Sequence, residues 1–168
     1  CSVLAGTLSA KLKMHARIYS QLAFRTQVLF DTDRLLQKAR SSKEMLRVTC
    51  TQLVRLLNRD IVAYIVEEGK LSQGQVFCKN KEETDQQFLI PEEQKIARWV
   101  YENNKRAGVG TNYFKNAKCL YLAIRIGDYV YGVIGIPANK DVFDSVEYSI
   151  LLSVVNECAL AMENLRNA

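Results

Sequence analysis

The feature that most restricts the possible folds is a pair of apolar segments, residues 118–126 and 129–136, joined by Gly127-Asp128. Both segments are rich in β-branched and aromatic residues, which favour extended structure. A two-residue link that begins with glycine suits a tight hairpin, because glycine readily takes the positive φ that such a turn needs. The sequence therefore predicts an antiparallel strand pair within a larger sheet.

A second strand pair and four helices are predicted around this hairpin. Residues 60–66 and 71–77 are predicted strands separated by a turn at 67–70, and residues 79–87 are a polar, exposed loop. Apolar spacing and end signals predict helices over 7–40, 41–58, 91–104 and 144–165, with caps at Ser41 and Asp144 and Pro91 in a first turn. This order predicts an α+β fold, a central antiparallel sheet with the N- and C-terminal helices packed together on one face.

Charge and reactive residues exclude several classes of function. Four of the five net positive charges lie within the first 30 residues, which contain no acidic residue, so no basic face that would bind nucleic acid is expected. The five cysteines are scattered, as is typical of reduced cytosolic thiols, and with His15 as the single histidine no metal site is predicted. No catalytic residue is predicted, because a nucleophile needs a base beside it and no glycine-rich nucleotide-binding motif is present.

The first predicted helix carries a narrow apolar stripe whose members recur at alternate spacings of three and four, with polar interruptions. Such a stripe either pairs weakly with a second copy, as in a coiled coil, or packs on the domain itself. The short apolar run at 3–8 is too short to cross a bilayer, and is either the trimmed end of a membrane span or an ordinary helix start. The predicted dimerisation and transmission residues are Leu8, Leu12, Tyr19, Leu22, Leu29, Leu36, Val155 and Met162.

The candidate binding site is the segment 106–114, in which two glycines flank one residue before Thr-Asn. This pattern permits an unusual backbone path with free N–H donors, so it is either a loop over a small polar ligand or a plain helix end and connector. Nearby aromatic side chains and Arg125 would give such a pocket an apolar body with polar tips. The predicted ligand-binding residues are Tyr64, Trp99, Arg106, Gly108, Gly110, Thr111, Asn112 and Tyr121, and no cofactor is predicted.

Three segments in order resemble one family. Ala-Arg-Trp-Val-Tyr-Glu-Asn at 97–103, Ala-Gly-x-Gly-Thr at 107–111 and Ala-x-x-Leu-Tyr-Leu at 117–122 are similar to the GAF domain of Kdp-type potassium-responsive sensor histidine kinases. Residues 25–29 and 35–40 resemble the helix that enters that domain. The family often has Asp and Pro where this chain has Asn112 and Ala123.

The resemblance implies a GAF/PAS-like fold, with residues 1–30 as a membrane-exit connector helix and residues 31–168 as the sensor domain. It implies a non-enzymatic regulatory input domain of a membrane-bound sensor histidine kinase, in two-component signalling of potassium or osmotic response. The domain would lie at the cytoplasmic face of the cell membrane, form a homodimer, bind an unknown small molecule and precede the kinase core. The alternative is a ligand-free structural dimerisation spacer between the membrane helices and the kinase core.

Overall fold

The computed structural model describes residues 2–80, 86–138 and 143–168 of the chain, so part of the predicted loop 79–87 lies outside the described residues. Its helices are α1 (Ser2–Lys38), α2 (Ser42–Leu57), α3 (Pro91–Asn103) and α4 (Ser145–Arg166), with a short 3-10 helix at Gln86–Leu89. Its strands are β1 (Ile61–Glu67), β2 (Lys70–Leu71), β3 (Gln75–Phe77), β4 (Ala107–Gly108), β5 (Cys119–Ile126) and β6 (Tyr129–Pro137).

The sheet is antiparallel in every pairing of the described strands and has the order β2-β1-β6-β5-β4, with β3 also paired to β1. The predicted hairpin is confirmed: β5 and β6 pair along their length, and Gly127 takes φ 58° in the turn between them. The short strand β4, which was not predicted, pairs with β5 through only two residues. Beyond Tyr121, the outer edge of β5 therefore pairs with no other strand among the described residues.

The predicted strand 71–77 is divided into β2 and β3 by a local irregularity. Ser72 donates its N–H to the Ile65 carbonyl (2.8 Å), and its hydroxyl accepts from the Ile65 N–H (3.0 Å). A Cβ at Gly74 would lie 2.7 Å from the Tyr64 ring, so only glycine fits at this crossing. The serine hydroxyl takes a place in the ladder that a backbone carbonyl would otherwise hold.

Helices cover both faces of the sheet. The helices α1, α2 and α4 pack together on one face, as predicted, and α3 covers the opposite face. Alternate residues of β1 divide between the two cores, with Ile61 and Ala63 facing the three helices and Val62 and Tyr64 facing α3. Because the strands are buried on both faces, their sequences are continuous apolar runs and do not alternate between apolar and polar residues.

Two of the predicted helix starts are confirmed by their caps. Ser41 Oγ accepts the N–H of Glu44 (3.2 Å), and Asp144 accepts the N–H of Glu147 (2.7 Å). The side chain of Glu44 in turn accepts the N–H of Arg40 (3.0 Å). Each cap satisfies a backbone donor that the helix itself leaves free.

The long helix α1 packs on the domain only through its second half. Side chains from residue 6 to 24 are exposed, whereas Val28, Thr32, Leu36 and Ala39 are buried at helical spacing against the neighbouring helices. The division of the chain at residue 30 remains a prediction. By length and composition alone, Ser145–Arg166 is the one helix of the described part that could cross a membrane, although one face of it is buried in the domain core.

Candidate functional site

The segment after α3 is fixed at its start by a capped helix end. Asn104 adopts a left-handed conformation (φ 53°) and donates its N–H to the Val100 carbonyl (2.9 Å). Arg125 of β5 donates from Nη1 to both the carbonyl (2.6 Å) and the side-chain oxygen (3.0 Å) of Asn104. The guanidinium therefore binds a carbonyl oxygen that has no partner within α3, and it connects the end of this helix to the sheet.

The glycine-threonine loop is closed by hydrogen bonds within itself. Gly108 donates its N–H to the Tyr113 carbonyl (2.7 Å), and Thr111 donates its N–H to the Gly108 carbonyl (3.1 Å). The Thr111 hydroxyl lies within 2.9 Å of the Gly108 and Tyr113 carbonyls and accepts the N–H of Tyr113 (3.1 Å). Thr111 therefore shapes the loop, and its one hydroxyl proton is already engaged.

An aromatic cluster holds the far end of this loop on α3. The rings of Trp99 and Tyr113 lie 4.8 Å apart, and Phe114, with φ 57°, meets Trp99 edge-on at 5.6 Å. Such ring pairs stabilise contacts beyond the area that they bury. Trp99 thus supports the loop from outside and does not line the cleft described next.

A cleft of about 670 Å³ lies between this loop, the unpaired edge of β5 and helix α4; we call it the edge cleft. It exists because β4 is too short to cover the rest of β5. The Arg106 guanidinium crosses it and donates a hydrogen bond from Nη1 to the Tyr148 hydroxyl of α4. The cleft is lined by Asn104, Lys105, Arg106, Gly110, Thr111, Asn112, Tyr113, Leu122, Ala123, Arg125, Tyr148, Leu152 and Val155.

Two of the predicted pocket tyrosines lie on the other face of the sheet. Tyr121 is fully buried and donates its hydroxyl proton to Glu93 (2.9 Å), whose carboxylate also accepts the N–H of Lys118 (3.1 Å). Burial, with Cys119 and Glu93 nearby, raises the pKa of Tyr121 above its usual range, so the phenol stays neutral. Glu93 is itself 3% exposed and is the centre of this network.

Tyr64 lies on the same face of the sheet as Tyr121 but outside the Glu93 network. It is 3% exposed, and its hydroxyl has no hydrogen-bond partner in the described part of the chain. Burial, followed by Cys119 and Glu93, raises the pKa of Tyr64 to about 12. It borders a separate cleft beside β3 and α3 that also contains Leu89 and Arg98.

The structure therefore divides the predicted ligand-binding residues among different places. Arg106, Gly110, Thr111 and Asn112 do meet in the edge cleft, whereas Tyr64, Trp99 and Tyr121 lie outside its lining, and Gly108 is a buried strand residue beside it. The α4 residues Tyr148 and Leu152 were missed, because nothing local in the sequence shows which helix faces the loop. Whether any of these side chains binds a ligand remains a prediction.

The predicted dimerisation residues also separate into two groups. Leu8, Leu12, Tyr19 and Leu22 are exposed on the protruding half of α1, and Leu29 is half-buried against the core. In contrast, Leu36, Val155 and Met162 are buried within the chain's own core, so they cannot form a surface for a second copy. The reason is that these apolar side chains are buried where α1, α2 and α4 pack on one another.

Comparisons with known proteins agree with this architecture. The family model of the GAF domain matches residues 41–164. The sensor protein KdpD of Clostridium acetobutylicum is 27% identical over 161 residues, which cover 95% of this chain and 18% of that protein. The chain thus spans less than a fifth of the length of this relative.

Solved structures share the fold at low sequence identity. The native GAF domain of the potassium sensor histidine kinase KdpD from Escherichia coli aligns with a TM-score of 0.67 at 17% identity, covering 84% of this chain and 95% of that one. A methyl-accepting chemotaxis protein, residues 122 to 287, aligns with a TM-score of 0.61 at 9% identity, covering 81% and 97%. Since the family model matches most of the chain and the sheet and helices follow the same plan, this chain belongs to the GAF domain family.

Proposed function

We propose that this chain is the regulatory input domain of a membrane-bound sensor histidine kinase in a two-component system that responds to potassium or osmotic state. The similarity to KdpD over nearly the whole chain supports this assignment. In this proposal the domain lies at the cytoplasmic face of the cell membrane, and it passes a change in helix packing to kinase domains that follow it in the parent protein.

The observation that carries the proposal is the parallel alignment of α1 and α4. Arg25 of α1 donates from Nη2 to the Ser149 hydroxyl of α4 (3.3 Å), and further along Asp33 of α1 lies beside Glu157 of α4. Both pairs have the same offset, so the two helices run in the same direction. The chain therefore enters the domain at one end of the helix layer and leaves at the other, as a module in series requires.

The helix layer also gives the loop access to the outgoing helix. Tyr148, Leu152 and Val155 of α4 form one wall of the edge cleft, opposite the glycine-threonine loop. A shift of the loop therefore changes its contacts with α4 directly, and packed helices transmit such shifts as small rigid movements.

The test uses helical phase in the intact parent kinase, reconstituted in vesicles. Inserting two alanines after Ala16, in the exposed part of α1, rotates the preceding segment by about 200° relative to the domain. Inserting seven alanines rotates it by about 700°, close to two full turns, and serves as the matched control. We expect the two-residue insertion to abolish the stimulus response of autophosphorylation and the seven-residue insertion to keep it. Equal responses in both variants would refute transmission along α1.

A ligand-free dimerisation spacer is the second candidate, and the exposed stripe on α1 favours it. Leu12 and Tyr19 are 62% and 78% exposed on a helix that protrudes from the domain, an arrangement suited to pairing with a second copy. Sedimentation equilibrium of the 168-residue chain should then show a dimer, and Leu12→Glu should dissociate it. Lys13→Glu introduces the same side chain at the neighbouring exposed position outside the stripe, and as the control it should leave the dimer intact. A chain that stays monomeric at high concentration would remove this candidate.

A further inference from the structure

The edge cleft has an uncompensated positive charge. Lys105, Arg106 and Arg125 line it, and no aspartate or glutamate is among its lining residues in the described part of the chain. The ion pairs of the described residues lie elsewhere, at Lys43–Glu67 and Arg59–Glu147. A lining with three cations and no acid attracts small anions and repels cations.

The cationic groups also keep most of their donors free. Each guanidinium has five N–H donors, and the contacts within the described residues use only Nη1 of Arg106 and Nη1 of Arg125. The Lys105 ammonium group lies 5.9 Å from the centre of the Tyr113 ring and makes no ion pair with a described residue. Gly110 and Asn112 also line the cleft, and their backbone N–H groups donate no hydrogen bond in the described part of the chain.

Part of the cleft lining is apolar. This part consists of Leu122 and Ala123 of β5 and Leu152 and Val155 of α4, and the cleft volume of about 670 Å³ lies within the range of small-molecule sites, roughly 300–1,000 Å³. Apolar walls with a few charged groups at the rim are the usual composition of such sites. The cleft thus has room for an organic body as well as for an anionic group.

We propose that the edge cleft binds a small oxyanion, a phosphate ester or a polycarboxylate, attached to an apolar or planar body. This assignment rests on the proposed regulatory function, for which it names the class of stimulus. The anion engages Arg106 and Lys105, with the free N–H groups of the loop, while its body packs against the apolar part of the lining. An oxyanion that takes Nη1 of Arg106 displaces the Tyr148 hydroxyl, so its binding changes the contact between the loop and α4.

The sole tryptophan provides the assay. Trp99 packs against Tyr113, which lines the cleft, so the intrinsic fluorescence of the 168-residue chain reports on the loop. Adenosine monophosphate (a phosphate on a planar body), citrate (a polycarboxylate) and adenosine (the same body without charge) are titrated separately, with amide chemical shifts followed by NMR. We expect one of the two anions to give a saturable change, centred on Gly110 and Asn112, that adenosine does not give.

Variants identify the site. Arg106→Gln is expected to weaken binding of the responding anion roughly tenfold or more, as the loss of a charge-assisted hydrogen bond implies. Lys105→Gln adds a second variant should Arg106→Gln fail to fold. The control Lys95→Gln removes the same charge from an exposed position of α3 outside the cleft and should leave the affinity unchanged.

Three results would overturn the proposal: no response to either anion up to about 10 mM, an equal response to adenosine, or unchanged affinity in folded Arg106→Gln. The insertion experiment on α1 uses no ligand, so its result separates the two proposals. If the helical phase of α1 still controls the kinase while the anions fail to bind, the regulatory function is supported and the oxyanion site is refuted.

Discussion

The two glycines of the candidate loop should respond very differently to alanine. A Cβ at Gly108 would lie 2.1 Å from the Cys119 carbonyl oxygen and 3.4 Å from the Leu120 Cα, both backbone atoms of β5. A Cβ at Gly110 would meet nothing within 4 Å. Both residues have positive φ, +101° and +78°, so the two variants share backbone strain and differ mainly in the collision.

The magnitudes follow from these environments. Gly110→Ala should cost about 1–2 kcal/mol of unfolding free energy, the penalty of a left-handed conformation for a residue with a Cβ. Gly108→Ala carries about 1–3 kcal/mol of backbone strain. It also loses about two hydrogen bonds of the β4 pairing, among them the bond from the Val109 N–H to the Cys119 carbonyl (3.1 Å), at about 1 kcal/mol for each bond. Its total is therefore about 3–5 kcal/mol, because β5 is held by β6 and cannot move away.

Urea unfolding followed by Trp99 fluorescence and by circular dichroism measures both variants. With a slope of about 2 kcal/mol per molar urea, the midpoint should fall by about 0.5–1 M for Gly110→Ala and by about 1.5–2.5 M for Gly108→Ala. Equal midpoints for the two variants would show that β4 yields easily, and would refute the claim that it is a rigid anchor of the loop.

Three further perturbations test other parts of the fold. Tyr121→Phe leaves the buried Glu93 carboxylate with one donor fewer and should cost about 1–3 kcal/mol by urea unfolding; a neutral result would contradict the network. Burial, then hydrogen bonding and charge from Asp33, raises the pKa of Glu157 from 4.5 to about 7, so the contribution of this carboxyl group to stability is fully present below pH 4.5 and is lost as pH rises through 7. The free energy of unfolding of Glu157→Gln should equal that of the native chain at about pH 4. At about pH 8 it should be higher by roughly 1 kcal/mol after discounting for solvent screening, and a pH-independent difference would refute this. Asp144→Ala should cost about 1 kcal/mol in thermal unfolding through loss of the α4 cap, and an unchanged melting temperature would contradict that role.

Local signals in the sequence predicted local structure well. The hairpin at Gly127, the caps at Ser41 and Asp144 and the first turn at Pro91 depend on residues within a few positions of one another, and each has the predicted structure. The irregularity at Ser72 was missed, because it depends on a serine hydroxyl that replaces a backbone partner on the neighbouring strand. Such a replacement leaves no periodic signature.

The candidate site was predicted only in part for a related reason. Arg106 and Gly110 belong to one short segment, so glycine spacing was enough to bring them together. Tyr64 and Tyr121 belong to strands that are buried on both faces, where an apolar run does not show which face a side chain takes. Tyr148 enters the site because α4 packs beside the edge of β5, a long-range arrangement that no local pattern encodes.

The energies of the contacts indicate where a regulatory signal can act. The contact of Arg106 with the Tyr148 hydroxyl is an exposed hydrogen bond, of a kind that contributes about 0.5–1.5 kcal/mol. Coupling between two sites is typically about 1–3 kcal/mol, so a ligand that replaces this contact changes the loop-to-α4 interaction by an amount of the right order. The packing of Val154 and Cys158 within the helix layer is fully buried, and breaking it would cost as much as unfolding part of the domain. In the proposed function, a signal at the edge cleft would therefore shift α4 as a body and leave its core packing intact.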